Sequence, residues 1–330
     1  MGKREKGRED MKTRKDSNLV EGEEMAIETK RLSESADKYL MEMLEEGKFK
    51  EIINGMINIG GFSLKNQALI HKQMPNATEL KGMRSWNFFG RFIKAEQKGI
   101  ETLSPTFEKE GGKAAGLTGF KVHYLFDISQ TEGAEYHSSK CLKGEVFKYI
   151  EGIKEGLEGV LSWKTKDGTV ISHSLEDTMD RIFSIDGLSE DERAAALVLD
   201  VSDKLLRRKM GSPAFSGLNE EELPEIRTIM KASVFYIVLN RLSLNSVKLE
   251  SPELSEMPSE DYERFKENLN VIRQVSQVVI NNVETMVSLG RKEELKRVAK
   301  ENYVRLKSAG KLPFETDESK GIEDDSPYAA

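Results

Sequence analysis

NQALIHKQMPNAT (Asn66–Thr78), WNFFGRFIKAEQKGI (Trp86–Ile100) and GFKVHYLFDISQTEG (Gly119–Gly133) are the segments whose reading decides the fold. Ser63 stands where an N-cap is expected for a helix over Leu64–Met74. Pro75 ends that helix, because proline restricts the residue before it and has no N–H to continue the ladder. Ile100–Leu103 and Lys121–Phe126 carry β-branched and aromatic residues and are bounded by Gly or Pro, which predicts two strands. The Gly- and Lys-rich stretch Glu108–Thr118 between them reads as a flexible loop. A helix with a short antiparallel sheet makes this part of the chain α+β.

Toward the N-terminus, residues 1–30 mix both charge signs with almost no large apolar residues, which predicts a disordered arm. From Ser33 the pattern turns helical, with Tyr39, Leu40, Met43 and Leu44 on one face and Gly47 as the stop. Phe49, Ile52, Ile53 and Met56 form a second amphipathic piece that Gly60-Gly61 breaks. Toward the C-terminus a helix-like stretch around Cys141–Leu157 leads to two strand-like pieces, Val160–Trp163 and Thr169–Ser172, joined by a turn at Lys166-Asp167-Gly168. Ser189 and Glu192 form a capping box for a helix reaching about Lys209. Pro224 fits the first turn of the next helix, which ends near Asn240. The longest helix starts at Ser259, with Phe265, Leu269, Ile272, Val275, Val279, Val283 and Met286 three or four apart. The chain therefore divides into an arm at 1–30, a small mixed domain at 31–137, a mostly helical domain at 138–310 and an acidic, disordered tail at 311–330.

At 38% hydrophobic and 32% charged residues the chain can form a core yet is polar for its size, and it has no run of about 18 apolar residues to span a membrane. The N-terminal MGKREKGREDMKTRKDS lacks an apolar region behind its basic residues, so no secretory signal is expected. The lone Cys141 excludes an internal disulfide, which fits a reducing cytoplasm. A net charge of −7 excludes a uniformly basic nucleic-acid coat, so any DNA contact requires a local patch.

One such patch exists. Between Lys81 and Lys98, the cations Lys81, Arg84, Arg91, Lys94 and Lys98 meet a single acid, Glu96, and Trp86, Phe88, Phe89 and Phe92 are interleaved. Unpaired nucleic acid suits that mixture, since cations track phosphates and unstacked bases lie on rings. The plainer reading makes Trp86, Phe89 and Phe92, three apart, the buried stripe of a short helix with a solvated cationic rim. Both readings stand open on composition.

Taken together, the three segments resemble the N-terminal, single-stranded-DNA-binding domain of ArdC-type antirestriction proteins, which plasmids and other mobile elements carry. The likeness covers roughly residues 45–133. The family's Trp, its Gly-Arg and its basic turn ending in Lys-Gly-Ile are matched by Trp86, Gly90-Arg91, Lys94 and Lys98-Gly99-Ile100. The resemblance implies a strand-binding face built from Asn66, Gln67, Arg84, Trp86, Phe89, Arg91, Lys94, Lys98 and Lys121. Asn66 and Gln67 either contact bases or sugars, or cap and brace the neighbouring turn. In the turn itself this chain has Ala95-Glu96-Gln97 where the family commonly has Lys-Gly-Glu. That loses a cation and puts Glu96 where a glycine suits positive φ. Asp127-Ile128-Ser129-Gln130-Thr131 matches the family's Asp-x-Ser-Gln-Thr and is read as tying down a strand exit rather than as catalytic.

Relatives with such a domain commonly continue into a zincin-like helical domain, whose His-Glu-x-x-His helix and a third acidic ligand hold zinc. The best register here sets Leu199 and Asp203 in place of the two His, and Ala232 in place of the acid. His71, His123, His137 and His173 all precede Ser174, and none shows a two-His spacing on one helix. The expectation is a degenerate zincin-like domain with no catalytic residue, no metal and no cofactor. No phosphate-binding Gly-rich loop, nucleophile elbow or Cys-x-x-Cys pair is present either. Two functional readings follow. One is single-stranded DNA binding by a mobile-element or phage protein of the bacterial cytoplasm, in the service of antirestriction. The other is a non-catalytic interaction protein whose C-terminal helices dock a DNA-processing partner.

Overall fold

The structure is a computed structural model. It describes residues 2–110, 113–136, 142, 144–165, 167–211, 223–249 and 262–308. For 2–23, 108–110, 113–115, 223, 225, 299, 303, 306 and 307 it describes the backbone alone. The tail at 311–330, the residues flanking the 137/138 boundary, Cys141, Lys166 and Ser259 lie outside the described residues.

Three helices open the chain: α1 (Gly2–Glu45), α2 (Phe49–Ile59) and α3 (Leu64–Gln73). α1 runs through residues 2–30, which the sequence assigns to a disordered arm. Its Lys, Arg, Glu and Met residues are strong helix formers, and no proline precedes Pro75. Ion pairs such as Lys30–Glu34 (3.9 Å) and Lys38–Glu42 (3.6 Å) add to that preference. The buried stripe Leu32, Ala36, Leu40 and Met43 anchors the helix, so residues before it extend an existing ladder instead of nucleating one. Gly47, at φ +68°, turns the chain into α2, and Ser63 caps α3 by accepting from Asn66 N–H.

The mixed region follows as β1 (Leu80–Lys81), α4 (Met83–Phe88), β2 (Arg91–Ile93), β3 (Ile100–Glu110), β4 (Lys113–Asp127), a single 3-10 turn over Ile128–Gln130, and β5 (Thr131–Gly133). The strands are antiparallel, in the orders β1-β4-β3 and β2-β5. β3 and β4 remain paired from Ile100↔Leu125 out to Glu110↔Lys113, which corrects the flexible loop expected over Glu108–Thr118. Once Ile100 and Leu125 set the register, each further residue adds ladder bonds whatever its own propensity. Shifts at Thr106/Phe107 and Glu108/Lys109 absorb the misfit.

The remaining elements are α5 (Glu145–Lys148), α6 (Ile150–Leu161), the small antiparallel pair β6 (Trp163–Lys164) and β7 (Val170–Ile171), α7 (Glu176–Phe183), α8 (Glu190–Met210), α9 (Leu223–Arg241) and α10 (Tyr262–Ser308). The Ser189/Glu192 capping box forms as its spacing predicts. α7 is an element the sequence reading does not name.

One apolar cluster joins both halves of the chain. Leu40, Phe49, Ile53 and Leu69 of the first helices are buried with Leu157, Leu197, Leu206, Val238, Ile272 and Val283 of the later ones. The division at 137/138 thus separates two textures of sequence that share a core. A smaller cluster of Ile59, Ile70, Ala77 and Ile100 sits apart from it. The fold is α+β, helical in the main, with short antiparallel sheets.

Candidate nucleic-acid interface

α4, β2 and the turn after it carry the basic-aromatic patch, and they are held to the sheet through one ring. Trp86 is fully buried and donates its indole N–H to the carbonyl of Phe126 on β4 at 2.8 Å. Tyr136 meets Trp86 edge-on at 5.2 Å between centroids and Phe89 at 5.3 Å, and Phe89 meets Phe88 at 5.5 Å. The Lys81 ammonium lies 5.3–5.5 Å from the rings of Trp86, Phe89 and Tyr136 and bonds Glu79 at 2.8 Å. Burial alone would lower the Lys81 pKa, but the bonds to Glu79 and Tyr136 outweigh it and hold the pKa above that of an ordinary lysine. Lys81 is thereby a structural cation, enclosed by rings. Tyr136 completes the cluster from 50 residues away from Trp86, and nothing in its sequence neighbourhood signals that role.

Of the two readings of the aromatic stripe, the structure divides the residues between them. Trp86 is core, whereas Phe88 is 68% exposed, Phe92 57% and Phe89 38%. Arg84 and Phe88 lie four apart on α4, and Phe92 and Lys94 two apart along the β2 direction, so Phe88 and Phe92 each have a cation on their own face. Arg84, Lys94, Lys98 and Lys121 are exposed. Lys94 makes a 2.8 Å bond to the Ser129 carbonyl, and Lys121 pairs with Ser104 on the hairpin.

Arg91 is spent elsewhere. Its guanidinium donates to the Thr131 hydroxyl (2.8 Å), to the Thr131 carbonyl (3.0 Å) and to the Ala134 carbonyl, which fastens β5 to β2. Asn66 and Gln67 are buried as well. Asn66 donates to the Leu103 carbonyl at 2.8 Å and accepts from the Leu103 N–H at 2.7 Å, while Gln67 donates to the Phe62 carbonyl at 3.0 Å. Their amides tie α3 to β3 and to the preceding turn.

Asp127 is 1% exposed and ends β4. It accepts from the backbone N–H groups of Ser129 (2.9 Å), Thr78 (2.7 Å) and Glu79 (3.0 Å). Burial would raise its pKa; those backbone donors outweigh it and hold the carboxyl below its ordinary value. Gln130 accepts from Asp127 N–H and donates to the Lys98 carbonyl, which ties the basic turn to the strand exit. Within that turn Glu96 adopts φ +62°, the left-handed region the substituted glycine would suit.

The three residues that the sequence register sets at the metal positions lie on α8 and α9. Leu199 packs against the core, and Asp203 bonds Arg207 at 2.7 Å and faces Lys231 at 3.5 Å. Asp200 bonds Lys204 at 2.7 Å. These residues do not fit a divalent cation: Leu199 and Ala232 offer no lone pair, and two cations already neutralise Asp203. Among the described residues no group of three or more His, Cys, Asp or Glu side chains could hold a metal ion. Among them, too, no helix is long and apolar enough to cross a membrane.

No family model matches the chain, and no curated protein matches it. Among solved structures it matches the metal-free crystal structure of the antirestriction protein ArdC from plasmid R388, at a TM-score of 0.31 and 8% identity, over 66% of this chain and 84% of that one. A likeness at that level carries no argument about fold or function.

Proposed function

We propose that the chain binds single-stranded DNA across the face made by α4, β2 and the turn that follows. The observation that carries this reading is the placement of Phe88, Phe89 and Phe92, large rings left open to solvent, with Arg84, Lys94 and Lys98 exposed around them in a protein of net charge −7. Unpaired bases gain roughly 1–3 kcal/mol each by stacking on such rings, and the cations meet the phosphates. Duplex bases are already stacked and cannot reach a ring, so the face discriminates by strandedness and little by sequence. The motif resemblance supports an antirestriction role for a mobile-element or phage protein in a bacterial cytoplasm. The α8–α9 region acts in this reading as an inert scaffold, and the protein is not an enzyme.

The test is a titration of an oligothymidine strand at about 50 and about 200 mM salt. The triple variant Arg84→Gln/Lys94→Gln/Lys98→Gln is expected to bind more weakly, with a salt slope shallower by about 0.7 for each lost phosphate contact. Phe88→Ala/Phe92→Ala is expected to lose affinity with the slope nearly unchanged. A folded triple variant that binds like wild type at both salt levels overturns the reading.

A further inference from the structure

A further concentration of positive charge lies at the far end of α10. Residues 295–308 carry five cations (Lys296, Arg297, Lys300, Arg305 and Lys307) against the single acid Glu301, a net charge of +4 in a chain whose total is −7. Cations in a last turn complement the helix dipole, and that accounts for Arg305 and Lys307. It does not account for Lys292, Lys296 and Lys300, which lie two or more turns earlier, where the dipole effect has faded.

Those three lysines recur every fourth residue. At 3.6 residues per turn they fall within about 80° of one another around the helix, with their Cα atoms about 6 Å apart along it. Arg291 and Glu294, which bond Glu145 and Tyr149, occupy the opposite side, so the lysine face points away from the body. Among the described residues, the bonds of Arg291 and Glu294 are the last between α10 and the body. Past them the helix stands clear of it, as the 71% exposure of Leu295 records. Lys292, Lys296 and Lys300 are all exposed. Lys296 shares one surface ion pair, with Glu293 at 3.3 Å, of a kind worth about 0–1 kcal/mol and readily exchanged.

We infer that this lysine stripe is a docking surface for the phosphate backbone of duplex nucleic acid. Charge complementarity selects the partner. A row of ammonium groups offers no fork for bidentate capture, so it senses charge density. Duplex carries one charge per about 1.7 Å of axis, twice that of either strand by itself. The stripe therefore prefers the duplex, while the face at α4 and β2 prefers the single strand. The inference stands on α10 alone and does not depend on the reading of that other face.

The experiment titrates the full chain with a blunt duplex of mixed sequence at about 50 and about 200 mM salt. Wild type is expected to bind. Lys292→Gln/Lys296→Gln/Lys300→Gln, which retains helix propensity, is expected to lose at least about tenfold in duplex affinity, with the salt slope shallower by about 2.7. Its circular dichroism and melting temperature are expected to stay unchanged. Lys292→Arg/Lys296→Arg/Lys300→Arg is expected to keep affinity and slope, as a charge-reading surface requires. Absence of duplex binding by wild type, or equal affinity and slope in wild type and the Gln variant, overturns the inference. So does loss of binding to polyglutamate with duplex binding intact, which would make the partner an acidic protein surface. The Arg84/Lys94/Lys98 variant, run against oligothymidine, reports on the other face separately.

Discussion

Trp86 donates its indole N–H to the carbonyl of Phe126, 2.8 Å away, and in doing so fixes α4 to the strand at the centre of the three-stranded sheet. The ring that a motif comparison would place against DNA is the one that positions the others. Trp86→Ala is expected to lower stability by about 3–5 kcal/mol through the cavity it leaves and the unpaired carbonyl. Phe88→Ala and Phe92→Ala, at exposed rings, are expected to change stability by less than about 0.5 kcal/mol. Urea unfolding separates the two cases. A Trp86→Ala protein as stable as wild type would refute the structural role.

Glu96 occupies φ +62° at the third position of the turn Lys94–Gln97, a position that favours glycine. An L-residue there costs about 1–2 kcal/mol. Glu96→Gly is therefore expected to stabilise the protein by about 1 kcal/mol, less some backbone entropy. It also removes the acid between Lys94 and Lys98, so single-strand affinity is expected to rise. A drop in the urea midpoint would show that the glutamate makes a contact worth more than its strain.

Asp127 ties the exit of β4 to the segment before β1 through backbone donors on both. Its folded pKa lies below the ordinary value, so its stabilising contribution is complete above about pH 4 and is lost as pH falls through the folded value. Asp127→Asn is expected to cost about 1–3 kcal/mol at neutral pH, because an amide cannot accept from all three donors. The gap between wild type and variant is expected to narrow in strong acid, where the wild-type carboxyl is itself protonated. Urea midpoints measured at neutral and acid pH check it; a gap independent of pH would rule the charge out.

Leu199, Asp203 and Ala232 supply at most one carboxylate, whose Oδ2 bonds Arg207 and whose Oδ1 faces Lys231 at 3.5 Å. Purified protein is expected to hold no stoichiometric zinc, to cleave no peptide and to melt at the same temperature with or without a chelator. About one equivalent of tightly held zinc by elemental analysis would sink the expectation of an inert domain.

Periodicity and caps were enough to locate most of the helices. The stripe from Phe265 to Val283, the Ser189/Glu192 box, Ser63 and the Gly60-Gly61 break are local signals, each legible within a few residues because helix geometry is itself local. The charge pattern likewise located the basic-aromatic patch, and the family resemblance pointed to a turn at Glu96 that would suit glycine. The tertiary structure decided what those residues do. Whether a ring is core or surface depends on a partner distant in sequence: Phe126 and Tyr136 bury Trp86, and no local spacing reveals them. Arg91, Asn66 and Lys81 look open to a ligand in sequence, and they are consumed by Thr131, Leu103 and the aromatic cluster across gaps of about 40 to 55 residues. The long β3–β4 hairpin was illegible for the same reason, since strand pairing rewards a neighbour's backbone more than a residue's own propensity. The sequence determined which residues could meet a nucleic acid; long-range hydrogen bonding and burial decided which of them remain exposed to do so.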